Sequence, residues 1–393
     1  MNGKSVYVVG AARTAVGSFQ GMYSNTPAST LGSVAIREAV KRSGLKPEDV
    51  QEVFMGCVLT GSQGQAPARQ ACIYAGLPKS VPCTTIGKVC GSGAQAIILG
   101  ARTILLGEND LVVSGGMENM TLAPYSLPKG RSGYRMGNGE IVDEMVHDGL
   151  WDPYSNMHMG MAAELCAEKY RFTREMQDDF AAESYKRALS ATKEGRFSAE
   201  IIPVVLKDKR KGDIELKIDE EPQKFNEAKM RELKPAFKKD GTVTAGNASS
   251  INDGGAALVL ASEKAVKERG LKPLGRIVGW GGHAQEPEWF TTAPISASRR
   301  ALERCGMKPG DIGLWEVNEA FAVVTMAAMK DLEIPHAKVN INGGGCSIGH
   351  PIGCSGARIM VTLLYAMDQV KAVKGLGTMC IGGGEALAIV FEK

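Results

Sequence analysis

The sequence predicts an α/β protein made of two similar halves, with a segment of different character inserted between them. Two observations lead to this prediction: one stretch of the chain recurs about 262 positions later, and strand-like apolar runs alternate with helical patterns in both halves. A chain of 393 residues is long enough for two or three domains of ordinary size.

The recurrence is the stronger of the two observations. Residues 35–49 (AIREAVKRSGLKPED) align without a gap on residues 297–311 (ASRRALERCGMKPGD). The tripeptide SGA at 92–94 recurs at 355–357, and the pattern GGxE at 115–118 recurs at 382–385. Unrelated segments would not keep such similar spacing, so we interpret it as an internal duplication. A duplicated protein has a pseudo-twofold seam, where non-identical residues from the two halves can form one site.

The alternation of elements defines the fold class. In the first half the predicted elements are strands at 6–9, 50–58 and 111–113, with helices that begin near residues 31 and 94. From about residue 270 the order returns, with strands at 276–278, 314–317, 378–381 and 388–391 and helices at 297–305 and 357–365. This order favours mixed or parallel sheets that are covered by helices on both faces.

The chain between the halves is richer in charge, methionine and tyrosine, and we interpret it as an insertion that sits on the duplicated core. The predicted domains are therefore a first half at 1–120 plus about 249–269, an inserted loop domain at 121–248, and a second half at 270–393.

Composition excludes several classes of protein. The content of 44% hydrophobic and 23% charged residues is that of a globular chain, and a net charge of +3 is too small to favour nucleic acid or a membrane surface as a partner. The first residues lack the apolar region of a signal peptide, and no apolar stretch approaches the roughly 20 residues that span a bilayer. We therefore expect a cytoplasmic protein. Nine cysteines without a C-x-x-C spacing fit a reducing compartment and indicate no metal site.

Cys90 is the first candidate for chemistry. It stands between a strand-like run and an amphipathic helix, in the sequence CGSG at 90–93. A thiol at a helix N-terminus faces free N–H groups, which lower its pKa, and its small neighbours let a substrate carbonyl approach. Its own backbone N–H could help to hold an oxyanion. The alternative is a structural cysteine in a tight turn.

Three further positions follow glycine-rich turns or strand ends. His350 lies three residues before Gly353, the counterpart of Cys90 by the repeat, so an imidazole could meet the thiol across the seam and activate it. Cys380 ends a strand-like run and could serve as an acid or base, although a buried core cysteine is the simpler reading. Asn318 follows another strand and could donate a hydrogen bond.

Together, four short segments resemble the active-site signatures of the thiolases. They are VCGSG at 89–93, NEAFA at 318–322, GHPIG at 349–353 and CIGGG at 380–384, in the family's order. The resemblance runs almost end to end and is strongest to the short-chain biosynthetic branch, whose members condense two acetyl-CoA molecules. It implies the thiolase fold, in which duplicated α/β halves form five layers, αβαβα, with an inserted loop domain.

The resemblance also implies a role for each candidate. Cys90 would be the nucleophile that accepts the acyl group, and His350 would activate it and contribute to an oxyanion hole in which Asn318 holds a water. Cys380 would remove a proton from the methyl group of the second acetyl-CoA. The N–H groups of Cys90 and Gly382 would form a second oxyanion hole. The implied reaction is a ping-pong condensation of two acetyl-CoA to acetoacetyl-CoA and CoA, with thiolysis as its reverse.

By the same resemblance, CoA is carried by the substrate, no separate cofactor or metal is needed, and the inserted domain supplies most of the binding site. The residues implied beside the pantetheine or along its channel are His158, Met159, Ser249, Leu150, Ala320 and Phe321. A homotetramer formed through part of 121–145 is also implied.

Two departures from the family pattern stand out. Phe290 occupies a position of the acyl pocket where many thiolases carry methionine, and the segment 221–233 does not clearly match the arginine-containing stretch found near the CoA phosphates. The remaining alternatives are a degradative thiolase for longer chains and a non-catalytic CoA-binding relative. The latter should lack one of the four reactive positions, and here all four are present.

Overall fold

The structure is a computed structural model and describes residues 5–208 and 212–393. Residues 1–4 of the predicted first half and residues 209–211 of the predicted insertion lie outside the described residues. The strands are β1 (Val6–Arg13), β2 (Gly17–Ser18), β3 (Glu52–Gly56), β4 (Cys83–Ile86), β5 (Leu111–Asn119), β6 (Tyr125–Ser126), β7 (Val142–Asp143), β8 (Trp151–Asp152), β9 (Met157–His158), β10 (Val204–Asp208), β11 (Gly212–Leu216), β12 (Asn252–Ser262), β13 (Gly275–Ala284), β14 (Leu314–Val317), β15 (Lys374–Ile381) and β16 (Glu385–Glu392).

The α-helices are α1 (Ala28–Ser43), α2 (Pro67–Tyr74), α3 (Ser92–Leu106), α4 (Glu144–Gly149), α5 (Met159–Tyr170), α6 (Arg174–Lys193), α7 (Glu227–Arg231), α8 (Glu263–Arg269), α9 (Ala293–Arg304), α10 (Ala322–Asp331), α11 (Gly345–Ile348) and α12 (Ile352–Val370). Short 3-10 helices cover Pro47–Asp49, Glu221–Lys224, Pro287–Thr292, Pro309–Asp311 and His336–Lys338.

The two halves build the same kind of sheet. Along the large sheet the strand order is β14-β15-β16-β13-β1-β12-β5-β3-β4, with β2 paired to β12. In the first half β12 runs antiparallel to both β1 and β5, and β3 and β4 continue parallel to β5. In the second half β13, β16 and β15 are antiparallel and β14 is parallel to β15. The halves join where β1 meets β13 over three residue pairs. The predicted duplication is confirmed.

Helices alternate with these sheets to give five layers. One hydrophobic cluster joins α1 and α2 to the outer face of the first sheet, and another joins α9 and α10 to the outer face of the second. The largest cluster lies between the sheets and contains the apolar faces of α3 and α12. This is the αβαβα arrangement expected from the sequence.

The repeated segment also folds in the same way twice. After α1 and after α9, the sequence Lys-Pro-x-Asp forms a 3-10 turn with proline at its first position. The backbone N–H groups of Lys46 and Lys308 each donate to the aspartate three residues later, at 2.8 Å in both cases. The carboxylate satisfies a donor that the turn would otherwise leave free, which explains why these residues recur together.

The third match of the predicted repeat, the GGxE pattern at 115–118 and 382–385, is wrong. Gly115 lies inside β5, whereas Gly382 follows the end of β15. Strand pairing places Val112 opposite Glu52 on β3 and Gly375 opposite Leu314 on β14, so β5 corresponds to β15 at an offset of 263. The two GGxE patterns are therefore not equivalent in space. Glycine is frequent in this chain, with 48 residues, and a short pattern rich in glycine recurs by chance.

The two halves touch most closely where α3 and α12 begin. A Cβ atom on Gly93 would lie 2.6 Å from the backbone nitrogen of Ala357, and one on Gly356 would lie 2.4 Å from that of Ala94. These contacts are reciprocal under the offset of 263, as a pseudo-twofold axis requires. The axis therefore passes between the two helix N-termini, one of which follows Cys90 directly.

We expect Gly93→Ala and Gly356→Ala to destabilise the protein by about 1–3 kcal/mol each, because the obstructing atoms belong to backbone that cannot move aside cheaply. Urea unfolding would measure the loss. Gly310→Ala is the matched control, since a Cβ there meets nothing within 4 Å. Equal unfolding midpoints for all three variants would contradict the packing described here.

The segment between β5 and β12 carries β6–β11 and α4–α7. Its helices α5 and α6 pack against α10 and α11 of the second half through two further hydrophobic clusters. The inserted segment therefore rests on the duplicated core near the start of α11, close to the His350 loop. The exact domain boundaries given above stay predictions.

One stretch of the described residues, Val89–Leu106, has the length and apolar composition of a membrane span, with a mean hydropathy of 1.5. The sequence analysis did not anticipate it. The stretch coincides with α3, which lies in the middle layer and packs against α12. Its apolar character is that of a central helix between two sheets.

Candidate active site

A cavity of about 320 Å³ opens where the two halves and the inserted segment meet. Its wall is mostly apolar and carries a small number of polar groups, which is typical of a binding site for an organic ligand. The lining residues are Val89, Cys90, Met120, Gly149, Leu150, His158, Met159, Ala236, Phe237, Ala245, Ala248, Ser249, Ser250, Ile251, Phe290, Ala320, Phe321, His350, Ile352 and Gly382.

Cys90 lies on this wall, two residues before the first turn of α3, and is half-buried. The expectation of a lowered thiol pKa is wrong for the free protein. Burial raises the pKa of Cys90 to about 11, and the nearby Glu118 charge adds to the rise. Hydrogen bonds from the backbone of Gly382 and of Cys90 itself lower the pKa, but by less than burial raises it. The resting nucleophile is therefore a neutral thiol, and attack requires a base.

His350 is held in the state that a base requires. Burial, helped by the positive charge of Arg358, lowers the pKa of His350 to about 3, so the imidazole is neutral. Nδ1 lies 2.5 Å from Oγ of Ser355, and that hydroxyl donates to the carbonyl of Pro351 at 2.9 Å. Since the hydroxyl proton is used there, Nδ1 carries the ring proton and donates to Ser355. Nε2 is then unprotonated, and its lone pair faces the amide nitrogen of Asn318 at 3.4 Å.

The backbone around this imidazole is fixed as well. The N–H of His350 donates to Oδ1 of Asn252 at 2.9 Å, and the Asn252 amide donates to the carbonyl of Gly17. Asn252, on β12, therefore holds the loop before α12 against the first half. These hydrogen bonds help to keep the ring in one orientation, and none of them involves a charged group.

The pH dependence of Cys90 labelling follows from these shifts. Because burial raises the pKa of Cys90 to about 11, the thiolate fraction of the free protein should increase steadily above pH 8, without a plateau near neutrality. Peptide-resolved alkylation with iodoacetamide would measure this. Cys83 is the internal control, because hydrogen bonding from Cys72 and the Arg69 charge lower the pKa of Cys83. A labelling plateau of Cys90 near pH 7 would contradict the assignment.

Asn318 lies directly behind His350. Its amide nitrogen is 3.4 Å from Nε2 of His350, and the side chain is fully buried. The amide therefore faces Nε2, and both groups could donate to an oxyanion once Nε2 carries a proton. Whether Asn318 holds a water there stays a prediction.

Cys380 is the last residue but one of β15, near the loop that carries Gly382, but its side chain is fully buried and does not line the cavity. Burial raises the pKa of Cys380 well above its usual value, and the Cys90 sulfur contributes to the rise. The two thiols are therefore close enough to interact electrostatically. Its role as the second acid or base stays a prediction.

The structure brings together all seven residues that the family resemblance implied beside the substrate. His158, Met159, Ser249, Leu150, Ala320, Phe321 and Phe290 lie on the cavity wall with Cys90, His350 and Gly382. They come from the inserted segment, from the chain before β12, and from the second half. Contact of these side chains with CoA itself stays a prediction.

Two aromatic contacts shape the cavity. His158 caps α5 by accepting the N–H of Gly160 at 3.0 Å, and its ring stacks on Phe237 with centroids 4.7 Å apart. Burial lowers the pKa of His158, so this ring is also neutral. Phe290 is buried and meets Phe321 edge to face at 6.4 Å. A bulky rigid ring therefore stands at the position where the family resemblance implies a methionine.

The segment 221–233 offers no free arginine toward the cavity. Arg231 lies on α7 and donates to Asp179 and Glu227, both at 2.7 Å. These two carboxylates bind its guanidinium group. Arg231 is therefore not assigned as a ligand of the CoA phosphates. Among the described residues, no group of three or more histidine, cysteine or acidic side chains could hold a metal ion.

Sequence reasoning missed several residues of the site. Phe237 lies in a charged segment without periodicity, so no signal pointed to it. Ser355 was noted only as part of the repeat, although its position five residues after His350, on the first turn of a helix, places its hydroxyl beside the imidazole. Ile352 and Met120 close the wall on the Cys90 side and look like ordinary core residues in the sequence.

The arrangement defines an acyl-transfer site. It holds a thiol, a neutral imidazole whose Nε2 is unprotonated, and backbone and amide N–H groups that could stabilise a negative oxygen. A second thiol lies behind the first. These groups lie at the N-termini of two pseudo-symmetric helices in a five-layer fold.

Comparison with known proteins agrees with this description. The models of the thiolase N-terminal and C-terminal domains match residues 6–264 and 271–393. An acetyl-CoA acetyltransferase of Schizosaccharomyces pombe is 50% identical over 389 residues, which covers 99% of this chain and 98% of that protein. One of Cupriavidus necator is 50% identical over 390 residues and covers 99% of both chains. The cytosolic acetyl-CoA acetyltransferase of Gibberella zeae is 49% identical over 389 residues, 99% of this chain and 98% of that protein. The chain belongs to the thiolase family.

Proposed function

We propose that this protein is an acetyl-CoA C-acetyltransferase, which condenses two molecules of acetyl-CoA to acetoacetyl-CoA and CoA and catalyses the reverse thiolysis. The observation that carries the proposal is the convergence of Cys90, His350 and Gly382, from three separated segments, on one cavity. The names of relatives that are about 50% identical over the whole chain support the substrate assignment.

The first half of the reaction transfers the acetyl group to Cys90. Nε2 of His350 takes the thiol proton, the sulfur attacks the thioester carbonyl, and the oxygen becomes negative. The new imidazolium N–H and a water held by Asn318 form the oxyanion hole for that oxygen, as the family resemblance implies. Collapse of the intermediate expels CoA, which takes the proton back from His350. Since both partners start neutral, no charge has to be buried before the substrate arrives.

The second half forms the carbon–carbon bond. The Cys380 thiol first gives its proton to His350, which is neutral again once CoA has left. The resulting thiolate removes a proton from the methyl group of a second acetyl-CoA, and the enolate carbon attacks the acetyl group on Cys90 to give a tetrahedral intermediate. Collapse of that intermediate releases the Cys90 sulfur, which takes the proton of His350. The N–H groups of Cys90 and Gly382, which point at the Cys90 sulfur in the free protein, stabilise the oxygen of that tetrahedral intermediate. In thiolysis the resting thiol of Cys380 is already in the acid form that the departing enolate needs.

The acyl pocket supports a preference for short chains. Phe290 is fully enclosed by the chain and packs against Phe321, while Met120 and Ile352 close the wall beside Cys90. These side chains leave little room for a long acyl tail next to the nucleophile.

The test is cleavage of 3-ketoacyl-CoA by free CoA across acyl lengths. We expect kcat/KM for acetoacetyl-CoA to exceed that for 3-ketohexadecanoyl-CoA by at least about 10²-fold, since a pocket that excludes the tail rejects the substrate outright. Equal values would favour a degradative thiolase. No turnover of either substrate, with CoA still bound, would favour a non-catalytic relative.

Three further parts of the proposal concern the protein's surroundings. We propose that it needs no cofactor beyond the CoA of its substrate, that it acts in the cytoplasm, and that it forms a homotetramer through part of 121–145. Supporting the last point, this segment exposes the large apolar side chains of Leu122, Tyr125, Leu127, Tyr134, Met136 and Ile141. Light scattering after gel filtration would show a monomer if the oligomer assignment is wrong.

A further inference from the structure

Glu118 is a fully buried carboxylate at the seam, and the mechanism above gives it no role. It lies one residue before the end of β5 and has no exposed surface. Among the described residues, no cation pairs with it: its hydrogen bonds come from three backbone N–H groups and one thiol. Burying a carboxylate without a cation is costly, so its presence here requires an explanation.

Its hydrogen bonds reach both halves of the protein. Oε2 accepts the N–H groups of Val58 and Gly353, each at 2.9 Å. Oε1 accepts the N–H of Leu59 at 3.2 Å and lies 3.5 Å from the Cys57 sulfur. Residues 57–59 follow β3 in the first half, whereas Gly353 belongs to the first turn of α12 in the second half. One carboxylate therefore joins three backbone segments.

Each of these segments borders the reactive groups. Gly353 stands between His350 and Ser355, the hydroxyl that holds the imidazole. Leu59 packs with Met120 and Ile352 in a small cluster against which Cys90 is placed. Movement of either segment would shift the imidazole or the wall beside the thiol.

The charge of Glu118 also acts on nearby thiols. Burial raises the pKa of Glu118 to about 7, and its backbone hydrogen bonds oppose that rise. The titratable groups facing it are Cys57 after β3, Cys90 before α3, and Cys354 on α12. Its negative charge contributes to the raised pKa of each of them.

We propose that Glu118 is a positioning residue of the active site, which holds the start of α12 and the loop after β3 against the strand behind the nucleophile. Its negative charge adds to the burial that disfavours ionisation of Cys90 in the free protein. The inference rests on the proposed function only where turnover is measured. The ionisation of Cys90 tests it independently.

The experiment compares three variants by kcat for acetoacetyl-CoA thiolysis and by the pH midpoint of Cys90 alkylation, read on the Cys90 peptide. Glu118→Gln keeps the shape but turns an NH₂ group toward backbone donors and removes the charge. Glu118→Asp keeps the charge but shortens the reach. Glu164→Gln is the matched control, because Glu164 is also buried and accepts backbone N–H groups of Thr242 and Val243, without acting on Cys90.

We expect Glu118→Gln to lower kcat by about 10–100-fold, since small misplacements of catalytic groups have effects of this size, and to move the Cys90 midpoint to lower pH. Glu118→Asp should lower kcat without lowering the midpoint, and Glu164→Gln should leave the midpoint unchanged. Because loss of packing would also expose Cys90 and lower its midpoint, Glu118→Asp is the deciding comparison: it loosens the same segments but keeps the charge.

Two results would overturn the inference: a folded Glu118→Gln variant with wild-type kcat, or a folded Glu118→Gln variant whose midpoint of Cys90 alkylation is unchanged. If Glu118→Gln does not fold, Glu118→Asp decides, and wild-type kcat in that variant overturns the inference. If the wild-type protein does not cleave acetoacetyl-CoA, the proposed function fails, while the alkylation midpoints still report on Glu118.

Discussion

Replacing Cys90 with serine should reduce acetoacetyl-CoA thiolysis by about 10³-fold or more, while CoA still binds with near wild-type affinity. A serine hydroxyl is far less acidic than a thiol, and the neutral imidazole of His350, with its pKa lowered to about 3, is too weak a base to activate it. The CoA affinity should survive because the cavity wall around His158 and Phe237 does not depend on the sulfur. Steady-state kinetics and calorimetric titration with CoA measure the two quantities.

The matched control for this variant is Cys72→Ser. Cys72 is fully buried and lies in the outer layer between α2 and the first sheet, away from the cavity. It should keep its activity apart from a loss of stability. If Cys90→Ser retained more than a few per cent of wild-type turnover, Cys90 would not be the acyl acceptor.

Replacing Cys380 with serine should separate the two halves of the reaction. Acetylation of Cys90 by acetyl-CoA should still occur, because that step uses His350 and Asn318. Condensation and thiolysis should fall by about 10²–10⁴-fold, the usual contribution of general acid–base catalysis, because a serine hydroxyl exchanges the methyl proton poorly. Mass spectrometry of the intact protein detects the acetyl group, and steady-state rates report the second step.

Cys166→Ser serves as the control here, since Cys166 is fully buried in the same hydrophobic cluster as Cys380 and has no part in the mechanism. Two results would show that the roles are misassigned: failure of Cys380→Ser to become acetylated, or wild-type condensation by that variant.

Much of the fold could be predicted from sequence because a duplication repeats whole segments at a near-constant spacing, which a single helix or strand cannot do. The Lys-Pro-x-Asp turns after α1 and α9 are local structures with a local cause, a carboxylate that accepts a nearby N–H, so their residues recur with their geometry. The GGxE pattern misled because glycine serves different purposes in a strand and in a turn. Only strand register distinguishes the two uses, and register depends on partners far away in the chain.

The properties of the site also fall into two groups, those with a local signal in the sequence and those without. Cys90, His350, Cys380 and Asn318 stand in short motifs beside glycine turns, so their positions could be predicted. The protonation state of Cys90 could not, because a helix N-terminus can be read from neighbours in sequence whereas burial depends on the assembled protein. Phe237 and Glu118 were missed for the same reason, since each acts through residues that the chain alone does not bring near it.

The small space around Gly353 limits the number of reactive thiols that this chain can carry. By the repeat it is the counterpart of Cys90, yet a Cβ atom there would lie 2.5 Å from the Glu118 carboxylate and 2.9 Å from the Cα of Cys57. A second sulfur at the mirrored turn would collide with the main chain. Close packing of the two halves at this turn therefore leaves no room for a second thiol at the position equivalent to Cys90.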